Sequence, residues 1–211
     1  MSRRTGQVPQ SLDTVCNDYE AHVKWSLYTD ALAKLNLNMP HSQGPQDLRN
    51  ADDIRIGDTG SVARIAGNGV ELIPMTFGFP PPRPKRPRTF NFISEKRDFS
   101  DSKRCGILAS AFFEFTGTKY PRAKHRFTLK DAPFLFVAGL WREATGDDPE
   151  SFTMLTTAPG PDIAPYHDRQ IVIIAPDHLA HWLYLDRPQA DLLRPLPAGS
   201  LEVETVRPGS D

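Results

Sequence analysis

The sequence predicts an α+β fold: a curved, mainly antiparallel sheet or open β-barrel with a few flanking helices. Three observations carry this reading. Apolar, aromatic and β-branched residues recur in short runs rather than long helical stripes. Helical spacing shows only near the start and near the end of the chain. The 20 Pro and 14 Gly break the rest into short pieces. With 211 residues, 39% of them hydrophobic and 12 of them Phe, the chain suits one large domain with a real core, which excludes wholesale disorder.

The elements follow in order. Residues 1–14 are polar and without hydrophobic period, so residues 1–15 are expected to be a disordered extension ahead of a domain over 16–186. A helix is predicted from Asn17, which can cap with Glu20 three residues on, because Tyr19, Val23, Leu27, Ala31 and Leu35 recur at spacing four. It ends before Pro40, and residues 41–52 read as a polar loop. Strands are expected at 61–66 and 70–74 across the turn Gly67-Asn68-Gly69. The run from Pro80 to Pro87 can be neither helix nor central strand and reads as an extended basic loop. Further strands are expected at 105–108, 112–115, 125–129, 134–140, 152–156 and 171–174, then a helix over 177–185 with Pro176 near its start. Residues 187–211 read as a Pro-rich, weakly structured tail.

No apolar run approaches the roughly 20 residues of a membrane helix, and no secretory signal is expected, because Met1-Ser2-Arg3-Arg4-Thr5 has no apolar stretch behind its basic pair. Two cysteines, Cys16 and Cys105, provide neither a disulfide framework nor a four-ligand zinc site. A cytoplasmic, monomeric protein without metal or organic cofactor is expected. The net charge of −1 hides an asymmetry: residues 83–130 hold thirteen Lys and Arg against four acids, a net of +9, which leaves −10 on the rest. Eight aromatics interleave with those cations. Cations track phosphates and rings stack on bases, a pattern suited to single-stranded nucleic acid; the alternative is a solvated basic surface over an aromatic core.

There is no phosphate-binding glycine loop, no G-x-S-x-G elbow and no HExxH. Three polar residues stand in unusual settings. Glu114 lies within the apolar run Ala111-Phe112-Phe113-Glu114-Phe115. Alternation could turn it outward; a pocket would make it a proton carrier. His167 sits in Tyr166-His167-Asp168-Arg169, and Asn91 between Phe90 and Phe92. Read singly, each also has a structural explanation.

Five ordered segments resemble one family. Residues 104–115 are similar to the "RCLIPAxGFYEW" segment of the SOS response-associated peptidase (SRAP) family. Ala138-Gly139-Leu140-Trp141 resembles its "AGLW", and Phe152-Thr153-Met154-Leu155-Thr156-Thr157 its "FTILTT". His167-Asp168-Arg169 with the following isoleucines resembles "HDRMPVIL", and Asn91-Phe92-Ile93-Ser94-Glu95 resembles "NARxE". The resemblance implies a protein of the DNA damage response that acts on abasic sites in single-stranded DNA. There an amino-terminal cysteine forms a thiazolidine with the ring-opened sugar, and the protein removes its own leading residue. The chemistry needs one residue that carries both amine and thiol, because ring closure is then intramolecular.

By position, the resemblance assigns the nucleophile to Cys16, orientation of the amine or sugar to Asn91, proton transfer to Glu114, and ring opening with phosphate contact to His167. Arg104 and Arg169 are expected in phosphate contact or packing. Two departures stand out. The family's leading Met-Cys is here Val15-Cys16, so a free Cys16 amine requires translation to start at codon 15, read as Met, or cleavage at the Val15–Cys16 bond. Ile93 replaces the family's usual Arg, a loss that Arg86 and Arg88 of the basic loop could offset. Cys105, in an apolar strand, is expected to be a core thiol. Two rival readings remain: a cysteine peptidase using Cys16, His167 and Glu114 on peptide bonds, and a non-catalytic single-strand binding module.

Overall fold

The computed structural model describes residues 17–81, 83 and 85–211; the expected extension over 1–15 and Cys16 lie outside the described residues. The elements run β1 (Asp18–Ala21), α1 (Trp25–Lys34), β2 (Ala51–Arg55), β3 (Thr59–Ala66), β4 (Gly69–Phe77), β5 (Asn91–Ile93), β6 (Arg104–Ala109), β7 (Ala111–Thr116), β8 (Ala123–Leu129), β9 (Leu135–Arg142), β10 (Ser151–Thr157), β11 (Gln170–Ile171), β12 (Ile173–Ile174), α2 (Leu179–Tyr184), α3 (Gln189–Leu192) and β13 (Leu201–Arg207).

They form two sheets. One runs β13-β8-β7-β1-β2, with every pairing antiparallel. In the other, β4-β3-β6-β9-β10 closes into a ring, because β10 pairs antiparallel with β9 and parallel with β4. The expected curved, mainly antiparallel α+β architecture is the one observed.

The core fills the space between ring and second sheet. Tyr19, Phe112 and Phe127 of the five-stranded sheet join Phe77, Cys105, Ile107, Val137, Phe152 and Met154 of the ring in one cluster. Phe77 stacks on Phe152 with ring centres 5.0 Å apart, and Phe112 on Phe127 at 5.2 Å. Each such fully buried ring contributes about 1.5–3 kcal/mol. A second cluster covers the ring's outer face, where Tyr28 and Leu32 of α1 and Leu179, Trp182 and Leu183 of α2 pack on Leu108, Phe136, Ala138 and Leu155.

Four expectations need correction. The helix predicted from Asn17 starts at Trp25, and Asp18–Ala21 is a strand. Tyr19 belongs to the inner core but Val23, Leu27, Ala31 and Leu35 to the outer one, so the spacing of four joined residues of two different faces. The polar loop expected over 41–52 ends two residues sooner, at residue 50, where β2 begins, an edge strand in which only Ile54 is buried. The strand predicted over 171–174 is split: β11 pairs with β10 and β12 with β9. The tail is ordered, since β13 adds to β8 through six paired positions from Leu201↔Leu129 to Arg207↔Lys124.

Candidate functional site

β7 alternates, and the alternation sets where Glu114 points. Phe113 and Phe115 turn to one face, where the Lys124 ammonium sits 3.6 Å from the centre of the Phe113 ring. Phe112 and Glu114 turn to the other, toward the inner core, and Glu114 is 1% exposed. Glu114 is therefore turned inward and buried, not outward to solvent. Directly across the ladder stands His125, which shares that face.

Both His125 nitrogens are engaged by hydroxyls, Nε2 with Thr116 Oγ1 at 2.7 Å and Nδ1 with Thr205 Oγ1 at 3.0 Å. Burial holds its imidazole below the ordinary value of 6.5, in the neutral form. Its ring lies 4.7 Å from that of Tyr166, the residue before His167.

His167 ends a compact turn over 160–167, its backbone N–H donating to Ile163 O at 3.0 Å. Its Nδ1 accepts the Arg169 backbone N–H at 3.0 Å, with Asp168 Oδ1 3.1 Å away, and its side chain is 9% exposed. The backbone thus fixes the ring through Nδ1 and leaves Nε2 as its other polar atom.

Asn91 opens β5, which runs parallel to β10 with Asn91 opposite Met154 and Ile93 opposite Thr156. On the other edge of β10, Ile171 of β11 faces the same Thr156. An ion pair spans the two edges. Arg169 donates to Glu95 Oε1 at 2.7 Å and Oε2 at 3.0 Å, and also to Thr156 Oγ1 at 3.1 Å. The Ala158 N–H donates to Glu95 Oε1 at 2.8 Å. The guanidinium holds the Glu95 carboxyl below its ordinary range. This clamp brings the Asn91 strand and the His167 turn to the same end of β10.

The remaining expected residues lie apart from one another. Arg104 directs its guanidinium to the backbone carbonyls of Phe99, Ser100, Ser102, Trp182 and Leu183, so packing is the role its hydrogen bonds serve. Arg88 donates to Gly78 O at 2.9 Å, whereas Arg86 is exposed. Ile93 is 54% exposed. Cys105 is fully buried, and burial pushes its thiol up, as fits a core residue.

The family model for SOS response associated peptidase (SRAP) matches residues 16–209. The chain belongs to the SRAP family. The match includes β13, so the ordered C-terminal strand is part of the SRAP unit. Among relatives, the SRAP chain is similar to the abasic site processing protein YoaM of Bacillus subtilis, 35% identical over 128 residues, which cover 54% of this chain and 55% of that protein. It is similar also to the abasic site processing protein YoqW of Bacillus subtilis, 32% identical over 128 residues, 54% of this chain and 56% of that one. The chain therefore spans about half the length of the curated relatives it matches. A solved structure from Bordetella bronchiseptica superposes with a TM-score of 0.67 at 25% identity, covering 91% of this chain and 100% of that one. The SRAP fold is thus shared across most of the chain.

Sequence reasoning missed His125 because it lies in Ala123-Lys124-His125-Arg126, where it reads as one more surface polar residue. Only the β7–β8 register sets it opposite Glu114. No short-range signal carries that register.

Proposed function

We propose that this SRAP chain processes abasic sites in single-stranded DNA by bonding to them covalently through Cys16. The names of the two Bacillus relatives support the substrate class. The observation that carries the reading is the antiparallel register of β1 on β7, Tyr19 opposite Phe112 and Glu20 opposite Ala111. Followed back toward its start, β1 therefore approaches the level of Glu114 on β7, and Asn17, the first described residue, is bonded to Cys16.

The chemistry follows from that neighbourhood. The Cys16 amine attacks the aldehyde carbon of the ring-opened sugar and water leaves, giving an imine. The thiol of the same residue adds to the imine carbon, forming the S–C bond while its proton passes to nitrogen. Glu114 moves the protons that the amine and the departing hydroxyl exchange. Asn91 hydrogen-bonds the amine or sugar, and His167 assists ring opening and meets a flanking phosphate. Arg169, held by Glu95, keeps the His167 turn against β10, and Arg86 with Arg88 supplies positive charge for the strand.

The test uses protein that begins at Cys16, incubated with an oligonucleotide carrying one abasic site. A heat-stable shifted band is expected. Cys16→Ser protein should bind the strand but give no band, and Glu114→Gln should slow band formation by about 10²-fold. Absence of the band from protein that cleaves peptides would overturn the reading in favour of a cysteine peptidase.

A further inference from the structure

A cleft of about 510 Å³ opens on the outer side of β5, lined by Phe79, Phe92, Arg97, Lys103, Trp141 and Arg142 among others. Its size falls within the roughly 300–1,000 Å³ of small-ligand sites. Phe92 follows Asn91 on β5, and consecutive strand residues face opposite ways. The cleft is therefore one residue from the candidate site yet separate from it, and no residue of the proposed reaction lines it.

Its chemistry is specific. Phe79 and Phe92 lie with ring centres 6.0 Å apart. The Arg142 guanidinium sits 4.2 Å from the centre of the Phe79 ring, and that of Arg97 5.2 Å from the centre of Phe92. Both arginine side chains are exposed, and neither has a carboxylate partner among the described residues. Other cations of this region differ: Arg64 pairs with Glu71 and Glu150, each at 2.7 Å, and Lys103 pairs with Glu143. Arg97, Lys103 and Arg142 face Asp98 alone among acids lining the cleft. A guanidinium held over an aromatic ring keeps edge donors for an anion, and its planar π-system can take a base by stacking. Two such guanidinium groups and two aromatic rings beside a hollow of this size suit one flat heterocycle with a phosphate attached.

We infer that this cleft binds one unpaired nucleotide beside the lesion, its base stacking on the guanidinium planes of Arg97 and Arg142 and its phosphate meeting their edges. The inference rests on the proposed strand-binding function for its ligand, and it adds a base-reading subsite to a reaction whose target has no base. It gives the protein a preference for lesions flanked by intact bases.

The test compares two oligonucleotides with the same central abasic site and the same phosphates, one flanked by thymidines and one by base-less tetrahydrofuran residues. Equilibrium binding is read with full-length protein, so the result does not depend on crosslinking. Wild type should prefer the thymidine strand by about tenfold, the scale of one base stack. The Arg97→Ala/Arg142→Ala double variant should lose that preference while melting like wild type. Lysine at both positions should restore affinity for the two strands alike without restoring the preference, because an ammonium has charge but no plane. Thymidine flanks should quench Trp141, a signal absent in Trp141→Phe. Equal wild-type affinity for the two strands, or a preference that survives the double alanine variant, overturns the subsite. Failure to crosslink with the preference intact overturns the covalent function and leaves the subsite standing.

Discussion

On the outer face of β1, two carboxylates compete for one ammonium. Lys124 Nζ lies 3.1 Å from Asp18 Oδ2 and 2.6 Å from Asp53 Oδ1. Burial pushes the Asp18 carboxyl up to about 6 from 3.8, against the pull of Lys124. Asp53 is more exposed and closer to the lysine, which holds its carboxyl down. The folded protein thus keeps a proton on Asp18 that the unfolded chain releases near pH 3.8. Stability from this group is present below that pH and declines as pH rises toward about 6. Asp18→Asn removes the effect, so its stability relative to wild type should climb between about pH 4 and pH 6 and level off above. Urea melts across that range check the sign; a relative stability that falls through the window would refute the assignment. His125 works the other way, favouring the fold above its ordinary 6.5 and penalising it as protonation sets in below. At this scale the sequence is uneven. A lone Glu among four apolar neighbours advertises Glu114. Asp18, in Cys16-Asn17-Asp18-Tyr19, gives no hint of burial, because its cover comes from β8, more than a hundred residues on.

Among the elements, β9 shows what the Ala138-Gly139-Leu140-Trp141 segment does. Gly139 pairs with Cys105 of β6 on one side and Met154 of β10 on the other. A Cβ there would stand 2.3 Å from Ile107 Cδ1 and 2.6 Å from the Thr153 carbonyl oxygen. Isoleucine can shift, but a ladder carbonyl held between strands cannot without breaking the ring. Gly139→Ala should therefore cost about 2–3 kcal/mol, read as a lower melting temperature; wild-type stability would mean that the ring has slack. Strands rich in buried β-branched and aromatic residues, such as β3, β9 and β10, were readable from composition alone. β2 and β13 were not, because both are edge strands whose side chains are mostly exposed. Hydrogen bonds to a neighbouring backbone, rather than hydrophobic alternation, define them.

For the whole molecule, the decisive fact is that both sheets contribute to one inner core. Neither can lose its packing alone, so unfolding should be a single transition. Far-UV circular dichroism, which reports on the strands, and fluorescence of the buried Trp182 on the opposite side of the ring should give the same urea midpoint. Separate midpoints would show that the sheets are independent. The charge asymmetry also changes meaning in three dimensions. Of the cations in the basic segment, Arg104 binds carbonyls, Lys124 holds Asp18 and Asp53, and Arg126 pairs with Glu20. The excess available to a partner is therefore smaller than the sum over the segment. The fold class followed from the sequence, but ring closure did not, since it depends on pairings between strands far apart in the chain.

β10 holds four neighbours at once: β9 and β11 along one edge, β4 and β5 along the other. During synthesis every one of its upstream partners waits for it. A nascent chain that has just released β9 exposes raw strand borders on β4 and β9, with nothing of its own to seal them. Emergence of a seven-residue segment then converts an adhesive intermediate into a shut one. The interval before that segment clears the ribosome is when the open strand borders are most exposed to pairing with other chains.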